Sequence, residues 1–426
     1  MMFNKDLIEQ IRAAFPRAET DFKGRKRAFF DNGTATLVVD KAAEAEAKAR
    51  IDCSANVGAI FDESKQAETV IQKGRQAVAD FLNASSPSTI VTGESATSLM
   101  FNLSYAIGKD LSGKENVVTT DYEHYTNVSP WVELEKRGKI TNLRHTRLNM
   151  NEGTLDLDHL QELIDSKTKV VTITAASNML GTKAPLKEIG KLTKEVGAYF
   201  VVDAVHHIAH GPTDVQTIDC DFLVFSGYKL FSSHGSYLYG KQEHLEDLKP
   251  FKVKPATNIP PGKFEWGTRN QATFAAISGV MEHFHWLSKK INPGNSKMDK
   301  KNSLKIAMEA IEEYEKGFSK AILEGIDDIP GLLEMPAVTI FGLKDVNRID
   351  ERDPTFSIEV DNVSGEELAK RLWKEAGIAA RAGHFYSYAQ DVYEKPKVYR
   401  ISLVHYNTQK EIKTFLKALN DIVTKK

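Results

Sequence analysis

The sequence predicts an α/β fold built on a mostly parallel sheet, followed by a smaller α+β unit. Three observations predict it. Strand-like runs alternate with helix-like stretches through the first two thirds of the 426 residues, the pattern of an α/β chain. A complete strand, helix and strand unit is visible between residues 169 and 205, which implies a parallel crossover. A polar stretch at 292–302, carrying Pro293 and Gly294, then interrupts the alternation and reads as a linker or exposed turn.

The elements follow in chain order. Residues 1–29 are read as an N-terminal helical segment and 30–290 as the large domain. Ile90 and Val91 form an approach strand that meets Gly93, after which small hydroxyl residues open a helix. Asn116 to Thr120 is the next strand. The run from Lys169 to Ala176 is β-branched, and apolar residues at 186, 189, 192 and 196 mark one buried helix face. The chain returns as the apolar strand Tyr199 to Val205, and the strand Phe222 to Phe225 leads to Lys229. In open parallel sheets the ligand crevice lies at the carboxyl ends of the strands, and Asn178, Asp203 and Lys229 all fall there. Beyond a linker at 291–302 comes the small domain, 303–426. It reads as a long helix to about residue 322, strands Ala337 to Leu343 and Thr355 to Val360, a helix opened by a capping box at Ser364 and Glu367, a strand Tyr399 to Val404 and a terminal helix.

Composition narrows the function classes. Lys and Arg number 56 against 58 Asp and Glu, a net charge of −2, so no electrostatic footprint for nucleic acid is present. No apolar stretch has the length of a membrane-spanning helix, and the N-terminus lacks a secretory signal, so the expected compartment is the cytoplasm. Cys53 and Cys220 are the two cysteines; their spacing indicates neither a disulfide framework nor a thiolate metal site. No GxGxxG or Walker loop follows the first strand, which argues against a nucleotide-binding dehydrogenase or kinase.

Lys229 is the most informative residue. An apolar run breaks at Ser226 and Gly227 and the lysine follows at once. An amine desolvated there has a lowered pKa and becomes a nucleophile toward an aldehyde, whereas a lysine taken alone at a strand end usually reaches water. Asp203, at the end of the preceding strand, supplies a carboxylate able to pair with a protonated pyridine nitrogen. Asn178 and His206 are candidate donors to a ring hydroxyl, and His124 a candidate to stack on a ring, although each is also a plausible core or capping residue. Ser95, Ala96 and Thr97, opening a helix after Gly93, make an anion cradle from free N–H groups and the positive dipole end. His206, His207 and His210 cluster, but no carboxylate or thiolate stands at ligand-like spacing in sequence, so no metal site is assigned.

In this order and spacing, these residues resemble the class V aminotransferase family, the cysteine desulfurase-like branch of fold-type I enzymes that use pyridoxal 5′-phosphate (PLP). The resemblance runs from Phe30-Asp-Asn-Gly-Thr-Ala-Thr36 to Arg400-Ile-Ser-Leu-Val-His-Tyr-Asn-Thr408. It implies a large domain with a mostly parallel seven-stranded sheet, a smaller α+β C-terminal domain, and a homodimer with shared active sites. It also implies that Lys229 carries the cofactor as a Schiff base, that Asp203 pairs with the pyridine nitrogen and that His124 stacks on the ring. Asn178 and His206 are then the contacts to the phenolic oxygen, and Ser95, Ala96, Thr97, Ser226 and Tyr228 hold the phosphate. Glu265-Trp-Gly-Thr268 resembles the motif whose threonine reaches the neighbouring subunit's cofactor. Arg400 matches the arginine that binds a substrate carboxylate, with Asn56 and Tyr386 also on the substrate side.

Three departures from the family pattern bear on the reaction. Where the family's desulfurases carry a sulfur-accepting cysteine, the segment from Arg381 to Tyr388 has Tyr386. Only a thiolate attacks the substrate sulfur, so a persulfide relay is not expected. Tyr228 stands where a histidine is frequent, and Arg269 where proline is common. The leading expectation is a C–S lyase acting by β-elimination on a small amino acid through a carbanion. Epimerisation of the isopenicillin N type, transamination and decarboxylative or aldol-type C–C chemistry start from the same carbanion. A non-catalytic PLP-fold protein is disfavoured because Lys229, Asp203 and Arg400 are all present.

Overall fold

The structure, a computed structural model, describes residues 3–294 and 298–424. The centre of the expected linker, 295–297, lies outside the described residues. Seven strands form the central sheet: β1 (Ile90–Gly93), β2 (Asn116–Thr120), β3 (Asn142–Thr146), β4 (Thr168–Thr174), β5 (Tyr199–Asp203), β6 (Phe222–Ser226) and β7 (Ser236–Gly240). Their order is β1-β7-β6-β5-β4-β2-β3. β7 runs antiparallel to both neighbours and the other pairs are parallel, so the expected mostly parallel seven-stranded sheet is present.

The sheet is covered on both faces, which is why its strands read as continuous apolar runs. Successive side chains point to opposite faces, yet Val170 and Val171, Val201 and Val202, and Leu223 and Val224 are all buried. Val171, Val202 and Leu223 join one apolar cluster and Val170, Val201 and Val224 another. Register then aligns the carboxyl ends: Thr174 partners Asp203, and Asp203 partners Val224. The crevice opens at that edge.

Helix α1 (Lys5–Ala13) begins the chain, α2 (Asp62–Phe81) precedes β1, and α3 (Ala96–Gly108) follows it. α4 (Leu186–Glu195) is the crossover between β4 and β5. After α5 (Gln271–Ile291), α6 (Lys300–Glu324) starts slightly earlier than the sequence suggests. The C-terminal part is a four-stranded antiparallel sheet, β8 (Val338–Phe341), β9 (Thr355–Val360), β10 (Arg381–Gly383) and β11 (Val398–Ser402), in the order β8-β9-β11-β10. α7 (Gly365–Ala376) and α8 (Gln409–Thr424) pack on each other beside it. Ser364 Oγ accepts the Glu367 N–H, one half of the expected capping box; both halves occur instead at Ser95 and Ser98, where α3 begins.

The N-terminal segment is tied to the far end of the chain. Phe3 stacks on Tyr314 of α6 at 4.6 Å, and Arg12 donates to the Tyr406 carbonyl and pairs with Glu411. Ala28–Phe29 pairs in parallel with Ile378–Ala379. Among the described residues no helix is long and apolar enough to cross a membrane.

One buried ion pair anchors the loop after β7. Arg75 of α2 donates two N–H bonds to Glu265, at 2.7 and 3.1 Å, and Glu265 also accepts from the Thr92 N–H and hydroxyl. Their side chains are only 6% and 2% exposed. Removing one partner leaves the other charge uncompensated in a dry site. Glu265→Ala is expected to lower stability by about 3–5 kcal/mol, read as a shift in the urea midpoint; an unmoved midpoint refutes the anchoring role.

Candidate active site

β6 ends at Ser226 and a single 3₁₀ turn, Gly227–Lys229, turns the chain so that Lys229 is buried at the crevice. Its Nζ donates to the carbonyl oxygen of Gly33. Burial, reinforced by the Arg400 guanidinium, lowers the amine's pKa to about 7, while Asp203 and Asp31 oppose the shift. A nucleophilic amine at neutral pH results.

Asp203 closes β5 as a carboxylate only 2% exposed. Its Oδ1 accepts the Val205 N–H at 2.9 Å, and burial raises its pKa to about 6 against the pull of that bond and of Lys229. His124, after β2, accepts the Thr126 N–H on Nδ1; burial and the cations Lys229 and Arg400 lower its pKa to about 4, so it is neutral. Beneath it Glu123 is fully buried and accepts from Thr120, Asn127 and the Thr174 N–H. Burial raises Glu123 to about 8.

Lys229, Asp203 and His124 line one cavity of about 110 Å³ with Ser95, Ala96, Thr97, Thr126, Thr174, Asn178, Val205, His206, Ser226 and Tyr228. The structure therefore brings together most of the cofactor-side residues expected from the sequence. Ser95 is the N-cap of α3 and spends its hydroxyl on Ser98, while the first N–H groups of α3 lack intrahelical partners. Thr97 and Thr126 hydroxyls meet at 2.9 Å, as do Ser226 and Ser236. Thr126 and Thr174 were not singled out in the sequence; one follows His124 closely and the other ends β4, and strand-end position was the available signal.

Two expected donors are differently engaged. Asn178 Nδ2 donates to the Phe385 carbonyl at 2.9 Å, leaving Oδ1 buried without a partner, so the open atom is an acceptor. His206 Nε2 meets Thr355 Oγ1 at 3.0 Å, so only its Nδ1 is uncommitted among the described contacts.

Arg400 lies in the middle of β11, 2% exposed. Its guanidinium donates to Asn178 O and Thr34 Oγ1, both at 2.8 Å, and stacks over Phe385 at 3.8 Å. Asp31 lies 3.9 Å away and also pairs with Arg381 at 2.9 Å. Gly33 is required at this approach: a Cβ there would stand 3.0 Å from Arg400 Cζ. Burial lowers Arg400 only to about 10, so it stays charged at neutral pH.

Over the mouth lies the segment that follows β10. An antiparallel bridge joins Ser387 to His124, and Tyr386 accepts the Tyr125 N–H on its carbonyl. Tyr386 is 69% exposed, with its ring 6.2 Å from that of His124 and a backbone φ of 52°. Left-handed backbone is costly for a bulky residue and marks a side chain held by its surroundings.

Other expected residues are not brought in. Asn56 is exposed; its Oδ1 accepts the Val57 N–H and its carbonyl accepts Ser64 Oγ. Thr268 is exposed and lines a separate groove with Thr92, Glu265 and Trp266. Arg269 pairs with Glu265 at 3.4 Å, which gives it a partner within its own chain. Cys53 is the C-cap of the helix Asp40–Asp52 and Cys220 precedes β6; both are buried and free. The histidine cluster does acquire a carboxylate, Asp353, contributed from far along the chain, which corrects the expectation that none completes the set.

The donor set fits a pyridine aldehyde phosphate. A buried nucleophilic amine, a buried carboxylate without a cation bonded to it, an orphaned Asn178 Oδ1 and a helix N-terminus surround one cavity.

The family model described as Aminotransferase class-V matches residues 28–415. A curated relative named "Probable cysteine desulfurase" from Synechocystis sp. is 30% identical over 429 residues, covering 97% of this chain and 95% of that one. A cysteine desulfurase of Pectobacterium atrosepticum is 28% identical over 434 residues, covering 97% and 98%. Among solved structures, the apo cysteine desulfurase of Thermococcus onnurineus NA1 has a similar fold with TM-score 0.83, 24% identity and 98% coverage of both chains. A cysteine desulfurase of Escherichia coli gives 0.79, 24% and 99% of both.

The lowered Lys229 pKa sets a pH dependence. Below about 7 the amine is protonated and inert; above it the free amine attacks. Borohydride trapping of an added aldehyde on Lys229 is expected to rise roughly tenfold per pH unit below that value and to level off above it. Arg400→Ala should move the inflection upward, since a repelling charge is removed. An inflection near the ordinary lysine value in the unaltered protein refutes the desolvated amine.

Proposed function

The chain belongs to the class-V aminotransferase family of PLP-dependent enzymes, and on that premise we propose that it cleaves the C–S bond of a cysteine-like amino acid by β-elimination, with no persulfide formed on the enzyme. The observation that carries this reading is the absence of a thiol at the mouth. Tyr386 occupies the position expected of the sulfur acceptor, and both cysteines are buried away from the cavity lining. Burial also pushes the Cys220 thiol well above its usual range, which removes the thiolate that a relay needs.

Bound PLP supplies an electron sink for the pair released at the substrate Cα. In this reading Lys229 is the covalent anchor, Asp203 pairs with the ring nitrogen, and His124 covers one ring face. The α3 N-terminus at Ser95, Ala96 and Thr97, with Ser226 and Tyr228, receives the phosphate. Asn178 faces the ring oxygen side, and His206 walls the cavity. Arg400 binds the substrate carboxylate, since its fork is oriented by Asn178, Thr34 and Phe385 and its charge persists when buried. The Lys229 amine would take the Cα proton, and the Cβ–S bond would break with its electron pair on sulfur. The carbon skeleton leaves as pyruvate and ammonia after hydrolysis, and Tyr386 hydrogen-bonds the departing sulfur.

The exposed Thr268, outside its own chain's cavity and beside the exposed Trp266, supports a homodimer in which this loop meets the neighbouring site. Two unpaired cysteines fit a reducing compartment such as the cytoplasm.

Incubation with cysteine or an S-conjugate is expected to yield equimolar thiol or sulfide, pyruvate and ammonia, with undiminished turnover in a Cys53→Ala, Cys220→Ala protein. A protein-bound persulfide, or loss of turnover in that folded variant, refutes the reading. Arg400→Ala is expected to weaken amino-acid binding by about 2–5 kcal/mol, measured by spectral titration; unchanged affinity overturns the carboxylate role.

A further inference from the structure

Behind the cavity wall, three buried side chains from distant parts of the chain converge. His206 and His210 follow β5, and Asp353 lies just before β9. One potential ligand atom from each lies within 4.8 Å of the other two. We propose that His206, His210 and Asp353 bind a first-row divalent cation of the Zn²⁺ class, cross-linking the carboxyl end of β5 to the C-terminal sheet.

Hydrogen bonding orients both imidazoles for this task. Thr355 Oγ1 donates to Ser402 Oγ at 2.7 Å, so it accepts from His206 Nε2–H, and the lone pair of His206 stays on Nδ1. His210 Nδ1 meets Glu315 Oε2 at 2.7 Å, with both side chains buried; a carboxylate there keeps the proton on Nδ1 and the lone pair on Nε2. Each histidine thus has one N–H held by a protein acceptor and the other nitrogen open, the arrangement that fixes tautomer and ring orientation in metal-binding histidines.

The charge distribution calls for a cation. Asp353 is a buried carboxyl group, with Oδ2 3.0 Å from His207 Nδ1. Glu315 adds a second buried carboxyl group whose Oε1 has no hydrogen-bond partner. The nearby Lys183 ammonium is engaged by Glu312. Two imidazoles and one carboxylate suit Zn²⁺, Co²⁺ or Fe²⁺ better than Mg²⁺ or Ca²⁺, which prefer all-oxygen sets. Tetrahedral ligands about 2.1 Å from an ion stand about 3.4 Å apart, so side-chain rotation closes the set around it. The competing arrangement is metal-free: His207 paired with Asp353 and His210 with Glu315 alone.

The two arrangements separate experimentally. Holoenzyme dialysed against a chelator is titrated with Co²⁺ as the spectroscopic probe and, in parallel, with Zn²⁺ followed by elemental analysis. One ion per chain, visible d–d absorption from Co²⁺ and a Tm that climbs with Zn²⁺ concentration are expected. Asp353→Asn and His210→Ala should abolish stoichiometric binding. Glu315→Gln, a near-isosteric change away from the ligand atoms, should weaken it by about 10–100-fold. Folded wild-type protein that takes up no stoichiometric metal overturns the site, and so does binding left unchanged in Asp353→Asn and Glu315→Gln. The cofactor's visible band, read in the same samples, reports separately on the proposed lyase function.

Discussion

Desolvation of one amine is the constraint around which the site is built. Lys229 has lost water at the end of a strand buried on both faces, and what it gains is a single bond to the Gly33 carbonyl and the distant fields of Asp203 and Asp31. Those fields do not restore the charged form, because burial and Arg400 outweigh them. A neutral nucleophile near pH 7 is the outcome. The same dryness keeps His124 neutral and raises Asp203, so Lys229 and Asp203 sit near the balance between their two protonation states.

Such a site is expensive unless every buried polar group has a partner or a ligand. Around Lys229 and Arg400 the chain supplies partners by bringing its two ends together, while Asn178 Oδ1 stays open. The turn at Asp31 to Thr34, read in sequence only as part of a family likeness, supplies Lys229 with an acceptor and Arg400 with one of its own. Gly33 permits the approach because it has no Cβ to strike the guanidinium. Gly181, with φ of +75°, lets the turn after β4 close against the Thr355 carbonyl, where a Cβ would come within 2.5 Å. N-terminal turn, central sheet and C-terminal sheet therefore share one polar network.

The mouth obeys a different logic. The Tyr386 backbone is left-handed and its ring exposed, held by the Ser387 bridge to His124 and by the Tyr125 N–H. This position is set by main-chain bonds rather than by packing of the ring. A side chain placed in this way can change chemically without disturbing the fold.

The sequence by itself determined the sheet, the strand ends and the cofactor class. Apolar runs report burial directly, and Lys229, Asp203 and Asn178 each stand a few residues past such a run. What it left undecided depends on contacts between residues far apart in the chain. Asn178 was expected to offer its amide N–H, but Phe385 takes it; Asn56 was expected on the substrate side, but its loop carries it to the surface. Glu123 shows no pattern in sequence and becomes a buried acid only because three elements close over it. His206 and His210 had no carboxylate within reach of sequence spacing, and Asp353 joins them only when the C-terminal sheet docks. Local pattern encodes which residues are buried; which distant buried groups meet is a matter of long-range packing.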